Sequence, residues 1–162
     1  MKIYKVYCDY CGELQSVSEN KSKRMNGVTI LRSDTMSNKA MYILVNEDIK
    51  IGKGKLAGQV GHAVCTYMYR NYIRRYDGGF VGWNNDMLHY IDDYMEVQKK
   101  IILKCPQWKL EELERDGKYI VIRDKGLTQL EPNTLTCVCI GIYDRDLDEV
   151  PNWVKELKLY SK

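Results

Sequence analysis

The chain has 162 residues, 44% of them apolar and 29% charged, with a net charge of +3. That length holds one globular domain with a real core plus an appendage, and the apolar content excludes a disordered chain. The mild positive charge permits a polyanionic partner without demanding one, and apolar runs such as residues 140–143 fall far short of the ~20 residues of a spanning helix, so no membrane is expected.

The first residues alternate charged and aromatic side chains and form no apolar signal-peptide core, while Asp9, Glu13 and Glu19 argue against a transit peptide. The expectation is a soluble, cytoplasmic protein whose six cysteines are reduced thiols rather than a disulfide framework. Residues 1–40 read as a small N-terminal extension: two strand-like pieces, 2–7 and 27–31, flank a Ser/Lys/Asn-rich middle, and a polar run at 33–39 separates them from the rest.

From residue 41 the pattern is that of an α/β domain running to residue 162. Residues 41–46 are a continuous apolar run of strand length, punctuated by Gly52-Lys53-Gly54 and followed by a long helical pattern at 55–75. A second, weaker helix is expected at 85–97, a buried strand at 100–105, and a helix at 109–115 after the Pro106 turn. Strands follow at 119–123 and 134–142, and a last helix is expected at 147–157 despite Pro151, a residue tolerated near a helix start.

The start of the first helix is the most informative segment. At 100° per residue, Lys55, Gln59 and His62 share one polar stripe, Leu56, Val60, Ala63, Val64 and Tyr67 form a core stripe, and Ala57, Gly58, Gly61 and Cys65 make a face of small side chains that another backbone can approach. Glycine costs roughly 1 kcal/mol in a helix interior, so two of them suggest a packing or ligand reason. The bland reading is a solvated Lys and Gln with an incidental histidine. The sharper one is an anion site at the helix N-terminus, where free N–H groups, the helix dipole, Lys53 and Lys55 favour phosphate. It is not a Walker P-loop, because no Ser or Thr follows the lysine at the required spacing.

The second cluster, Arg123-Asp-Lys-Gly-Leu-Thr-Gln129, follows the third strand of the α/β domain, where active residues of α/β folds tend to lie. An ordinary turn accounts equally well for Asp124 bonding its own backbone and for Gly126 at positive φ. Together the two clusters hold what metal-free ester cleavage needs. Asp124 or His62 can act as base, polar donors can meet an oxyanion, and cations can hold an RNA end.

At these clusters the sequence resembles the type-2 peptidyl-tRNA hydrolases. The family pattern of an apolar strand ending near an acid, then Gly-Lys-Gly-Lys, two small residues, Gln and His-Ala, is matched by residues 41–48, 52–55, 57–59 and 62–63. Its second signature, Asp-Ala-Gly-x-Thr-Gln, is matched by Asp124 to Gln129, followed by Glu131-Pro132-Asn133-Thr134 and the strand 136–141. The likeness covers about residues 41–160. Lys125 stands where the family usually has Ala, and Asn133 where it commonly has Gly, a position Asn tolerates in the left-handed conformation.

The resemblance implies a three-layer α/β/α fold on a mixed four-stranded sheet, often a homodimer, with no metal or organic cofactor. It implies hydrolysis of the ester of peptidyl-tRNA, or of an N-substituted aminoacyl-tRNA, to free tRNA and peptide. His62, Asp124, Thr128 and Gln129 are the expected catalytic residues, and Lys53, Lys55 and Gln59 the substrate-binding ones. His62 and Asp124 both remain contenders for the general base, and an Asp in that role needs its pKa raised. The rival reading is an inactive family member serving as a protein- or RNA-binding module.

Cys8-Asp-Tyr-Cys11 has the spacing of half a zinc knuckle, but no second pair of this kind exists. Cys137 and Cys139 alternate in a predicted strand and read as core. His89 reads as a surface or packing residue.

Overall fold

In the computed structural model, the described residues are 4–8, 14–18, 28–33, 38–73, 91 and 93–161. They fall into two compact units, one of residues 1–37 and 84–97, the other of residues 38–83 and 98–162. The first contains a three-stranded antiparallel sheet of β1 (Tyr4–Cys8), β2 (Leu14–Ser18) and β3 (Val28–Ser33), with β1 in the centre. Strand β2 falls in the polar middle that the sequence pattern left unassigned. Its alternation is weak, and its pairing with β1 (Tyr4 opposite Ser18, Val6 opposite Ser16) is a tertiary effect. This unit also has helical residues at 93–97, the end of the expected second helix. Ile91 of that helix is also described and helical, whereas residues 85–90 and 92, His89 among them, and Cys11 lie outside the described residues.

The second unit is built on a four-stranded sheet in the order β5-β4-β7-β6: β4 (Lys39–Asn46), β5 (Lys100–Cys105), β6 (Ile120–Arg123) and β7 (Leu135–Asp144). Strands β4 and β5 are parallel, and β7 runs antiparallel to both β4 and β6. Every residue of β4 is buried, as its unbroken apolar run demands of a central strand covered on both faces.

Helix α1 (Lys53–Met68) packs on one face through Ala63, and the Cys137 thiol donates to the Gln59 carbonyl. On the other face, Leu110 and Leu113 of α2 (Gln107–Asp116) and Val154 of α3 (Asn152–Lys155) join Tyr42, Leu44, Leu103, Val138 and Ile140 in one apolar cluster. The result is the expected mixed α/β architecture. Cys137 and Cys139 are core, as their alternation suggested, and burial pushes both thiols up to about 12.

Two helices differ from expectation. Helix α1 stops at Met68 and widens into a π turn, Tyr69–Ile73, where the Asn71 amide bonds the Tyr67 carbonyl. The expected helix at 147–157 is only the single turn Asn152–Lys155. Residues 145–148 instead form a turn in which Asp146 N–H bonds the Asp144 side chain, and Asp148 has φ 55°, which no helix continues. Residues 158–160 then cover the outer edge of β5, with Lys104 N–H donating to Lys158 and Tyr160 N–H to Ile102.

The topology places the functional clusters. Strands β4 and β6 both run antiparallel to β7, so α1, which follows β4, and the loop after β6 emerge at the same edge of the sheet, where β7 begins. The loop from Asp124 to Thr134 is closed at its base by Asp124 N–H to Thr134 O at 2.8 Å and Asn133 N–H to Asp124 O at 2.7 Å. Gly126, at φ 75°, lets the chain pass so close to Pro132 that a Cβ there would lie 2.5 Å from Pro132 Cγ.

The small-residue face of α1 has no comparable contact. Gly54, Gly58 and Gly61 would each present a Cβ to open space, and Ala57 and Cys65 are exposed. The close backbone approach expected there is not made by any described residue. These two glycine environments predict opposite effects in thermal denaturation. Gly126→Ala should destabilise by about 2 kcal/mol or more, through left-handed strain plus the proline clash. Gly58→Ala should stabilise by about 0.5–1 kcal/mol through helix propensity alone. A destabilised Gly58→Ala would show that the exposed face is packed after all.

Candidate active site

The centre of the site is the Asp124 carboxylate, 5% exposed at the end of β6. Its Oδ2 sits 2.5 Å from Lys55 Nζ and accepts from Gln59 Nε2 at 2.7 Å, and its Oδ1 accepts from the Gly126 N–H at 2.8 Å. Lys55 and Gln59 reach it together because they lie one helical turn apart on α1. The Lys55 ammonium, helped by the Gly126 and Gln59 donors and opposed by burial, holds the carboxyl below its ordinary range. A base role for Asp124 asked for a raised pKa, and the shift runs the other way. Three donors thus face the carboxylate, two at Oδ2 and one at Oδ1.

Lys55 Nζ also donates to Thr128 Oγ1 at 3.0 Å. That bond uses the hydroxyl as acceptor and leaves its proton free to be donated elsewhere. Thr128 and Gln129 are exposed, and Gln129 Oε1 accepts from the Gly52 N–H at 3.3 Å, just before the first turn of α1. The carboxamide Nε2 makes no hydrogen bond among the described residues. Gly52 has no Cβ to obstruct this approach, since one would lie 3.0 Å from Gln129 Oε1.

The sequence pattern placed Lys55, Gln59 and His62 on one stripe, and the structure separates their environments. Lys55 is partly buried, while Gln59 is 5% exposed and belongs to the interior. His62 is exposed on the next turn of α1 and makes no hydrogen bond to the cluster among the described residues. Lys53, the first residue of the helix, is exposed beside the free N–H groups of the first turn. The site's own edge adds Lys125 and Leu127, both exposed, the latter 82%.

Two contributors were given no role from the sequence: Arg123, which heads the second cluster, and Thr136. Arg123 forms a two-pronged ion pair with Glu114 of α2, at 2.8 and 2.6 Å, and also donates to the Asn133 carbonyl at 2.6 Å, tying the loop base to the helix. This bonding lowers the Glu114 pKa and raises that of Arg123. Thr136, fully buried in β7, donates its hydroxyl toward Gln59 Oε1 at 3.0 Å and the Ile122 carbonyl at 2.9 Å. Strand alternation alone puts Thr136 and Cys137 on opposite faces, so only the observed register reveals that both meet Gln59.

Comparison with known proteins identifies the family. A family model described as "Peptidyl-tRNA hydrolase PTH2" matches residues 39–160. A protein named peptidyl-tRNA hydrolase from Saccharolobus solfataricus is 38% identical over 109 residues, 62% of this chain and 83% of that protein. Another so named from Thermococcus sibiricus is 35% identical over 105 residues, 61% of this chain and 80% of its own. A third, from Haloquadratum walsbyi, is 36% identical over 118 residues, covering 67% and 90%. With the family model spanning most of its length and the helix and loop signatures joined in one cluster, the chain belongs to the peptidyl-tRNA hydrolase PTH2 family.

Proposed function

We propose that this chain hydrolyses the ester joining a peptide, or an N-blocked aminoacyl group, to the terminal ribose of tRNA, releasing free tRNA and peptide. The observation that carries the reading is the convergence of Lys55, Gln59, Asp124 and Thr128 at one edge of the sheet: a buried carboxylate holds an ammonium against an exposed hydroxyl. Such an array is built before substrate arrives and needs no reorganisation when charge develops. Its completeness argues against a binding module that has lost activity.

The assigned roles follow from which protons and lone pairs are free. Water attacks the ester carbonyl, and the new oxyanion is met by the Thr128 hydroxyl proton and the Lys55 ammonium. His62, an exposed imidazole on the next turn of α1, takes the proton from the attacking water and returns it to the ribose oxygen as the intermediate collapses and the ester C–O bond breaks. Asp124 orients Lys55 and stays ionised. Gln129 uses its Nε2 to hold the terminal nucleotide or acyl group. Lys53 and the first-turn N–H groups of α1 receive RNA phosphate, and Lys125 lies within the same exposed loop.

All of these residues lie between 52 and 129, within the span the family model matches, and residues 41–162 are proposed as the hydrolase domain with 1–40 as an extension. No described helix is long and apolar enough to cross a membrane. The cytoplasmic setting and the homodimer belong to the same reading and rest on the family resemblance.

The direct test is release of acid-soluble label from an N-acetyl-aminoacyl-tRNA. Asp124→Ala and His62→Ala should each lower turnover on the order of 10²–10⁴-fold with the fold intact by circular dichroism. Wild-type rates in both variants would remove the site.

The two candidate bases separate by pH. Because the folded pKa of Asp124 is depressed, its carboxylate stays ionised through the ordinary carboxylate range and is protonated only as pH falls below it. Over about pH 5 to 9 Asp124 should therefore add no acid limb to the rate, and Asp124→Asn should lower the rate without changing the shape of the profile in that window. A limb there that Asp124→Asn removes would return the base role to Asp124. Finally, tRNA affinity should fall steeply with salt, and Lys53→Ala should flatten that slope by about one unit. An unchanged slope would take Lys53 out of the phosphate contact.

A further inference from the structure

Thr136 is held in an unusual place by a slip in strand pairing. Ile122 lies opposite Cys137, but Arg123 lies opposite Leu135, so Thr136 is an extra residue in β7. Such a bulge turns one side chain out of strict alternation. Here Leu135 and Val138, three apart, both join the apolar cluster beneath α2, while Thr136 and Cys137, adjacent in sequence, both meet Gln59 on the α1 face. Without the bulge, Thr136 would face the opposite side of the sheet.

We propose that Thr136 is a positioning residue for hydrolysis, fixing the orientation of the Gln59 carboxamide so that its Nε2, not its Oε1, faces Asp124. The inference rests on the hydrolase reading for its effect on rate, though not for its effect on the carboxylate. A carboxamide has two orientations of nearly equal shape, and hydrogen bonds decide between them. In the observed one, Nε2 donates to Asp124 Oδ2 at 2.7 Å and Oε1 receives the Thr136 hydroxyl at 3.0 Å. The reverse orientation would set two oxygens against each other at the carboxylate.

The Thr136 hydroxyl has one proton and two acceptors, Gln59 Oε1 and the Ile122 carbonyl. It can serve the carbonyl alone if Gln59 turns over, so the bond to Oε1 is a choice that the whole chain of contacts enforces. The chain runs from Thr136 through Gln59 to Asp124, and from Asp124 to Lys55 and Thr128. Removing the hydroxyl leaves Oε1 facing a methyl group in the interior and frees the carboxamide to rotate. The groups facing Asp124 are then Lys55, the Gly126 N–H and a carboxamide that no longer reliably donates.

The test compares Thr136→Val, which keeps the shape and loses the hydroxyl, with Thr136→Ser, which keeps the hydroxyl. Thr136→Val should lower kcat roughly 10-fold with little change in KM, as is usual when the partner of an active group is removed, and Thr136→Ser should restore most of it. In a Gln59→Leu background, Thr136→Val should cost nothing further. By carbon NMR, the Asp124 carboxyl should titrate at higher pH in Thr136→Val than in wild type and return in Thr136→Ser, because a donor to the charged form has been weakened. A wild-type kcat in Thr136→Val, no rescue by Ser, or an unmoved Asp124 titration would each overturn the proposal. If the wild-type protein releases no label at all, the hydrolase reading fails, and the titration alone decides the role of Thr136.

Discussion

The site depends on one ion pair. Lys55 comes from the first turns of α1 and Asp124 from the end of β6, 69 residues later in the chain, and they meet at 2.5 Å with the carboxylate almost wholly withdrawn from water. Burying a carboxylate is unfavourable unless its oxygens are paired and hydrogen-bonded. Here one oxygen has an ammonium and an amide and the other a backbone N–H. The same ammonium then fixes Thr128, so a bond that keeps a charge tolerable in the interior also sets the only hydroxyl of the Asp124–Gln129 segment facing solvent. The sheet order makes this meeting possible by delivering helix and loop to one edge.

The surrounding contacts read as protection of that pair. Arg123 clamps the loop base to α2 through Glu114 and Asn133, Gly126 lets the loop fold onto Pro132, and Asn133 takes φ 67° where a bulkier residue would be strained. The Asn found in place of the usual family glycine is therefore accommodated by its backbone. Lys125, the other departure, is exposed, and no contact in the structure explains it.

Much of this was legible in the sequence. The apolar run at 41–46 read as a strand from its length, and the structure places it inside the sheet with every residue buried. The two signatures named Lys55, Gln59, Asp124, Thr128 and Gln129, and the structure brings these side chains to one edge. Periodicity failed where tertiary contact decides. Gln59 lies on a polar stripe by helical spacing, yet it is buried because Asp124 and Thr136 satisfy both ends of its amide. Thr136 was invisible because a bulge breaks the alternation from which faces are read. The helix expected after Leu147 fails because Asp148 turns left-handed and the chain re-enters a helix only after Pro151. The direction of the Asp124 shift was equally beyond the sequence, since it depends on which cation lies against the carboxylate.

The central claim is that Lys55 and Asp124 act as one unit in ester hydrolysis. A double-mutant cycle on kcat/KM for N-acetyl-aminoacyl-tRNA tests it most directly, with Lys55→Met, Asp124→Asn and the pair together. The account predicts that the double variant is about as slow as the slower single variant, because either change already dissolves the pair. Losses that multiply in full would contradict it, and would mean that the lysine and the aspartate serve the reaction separately.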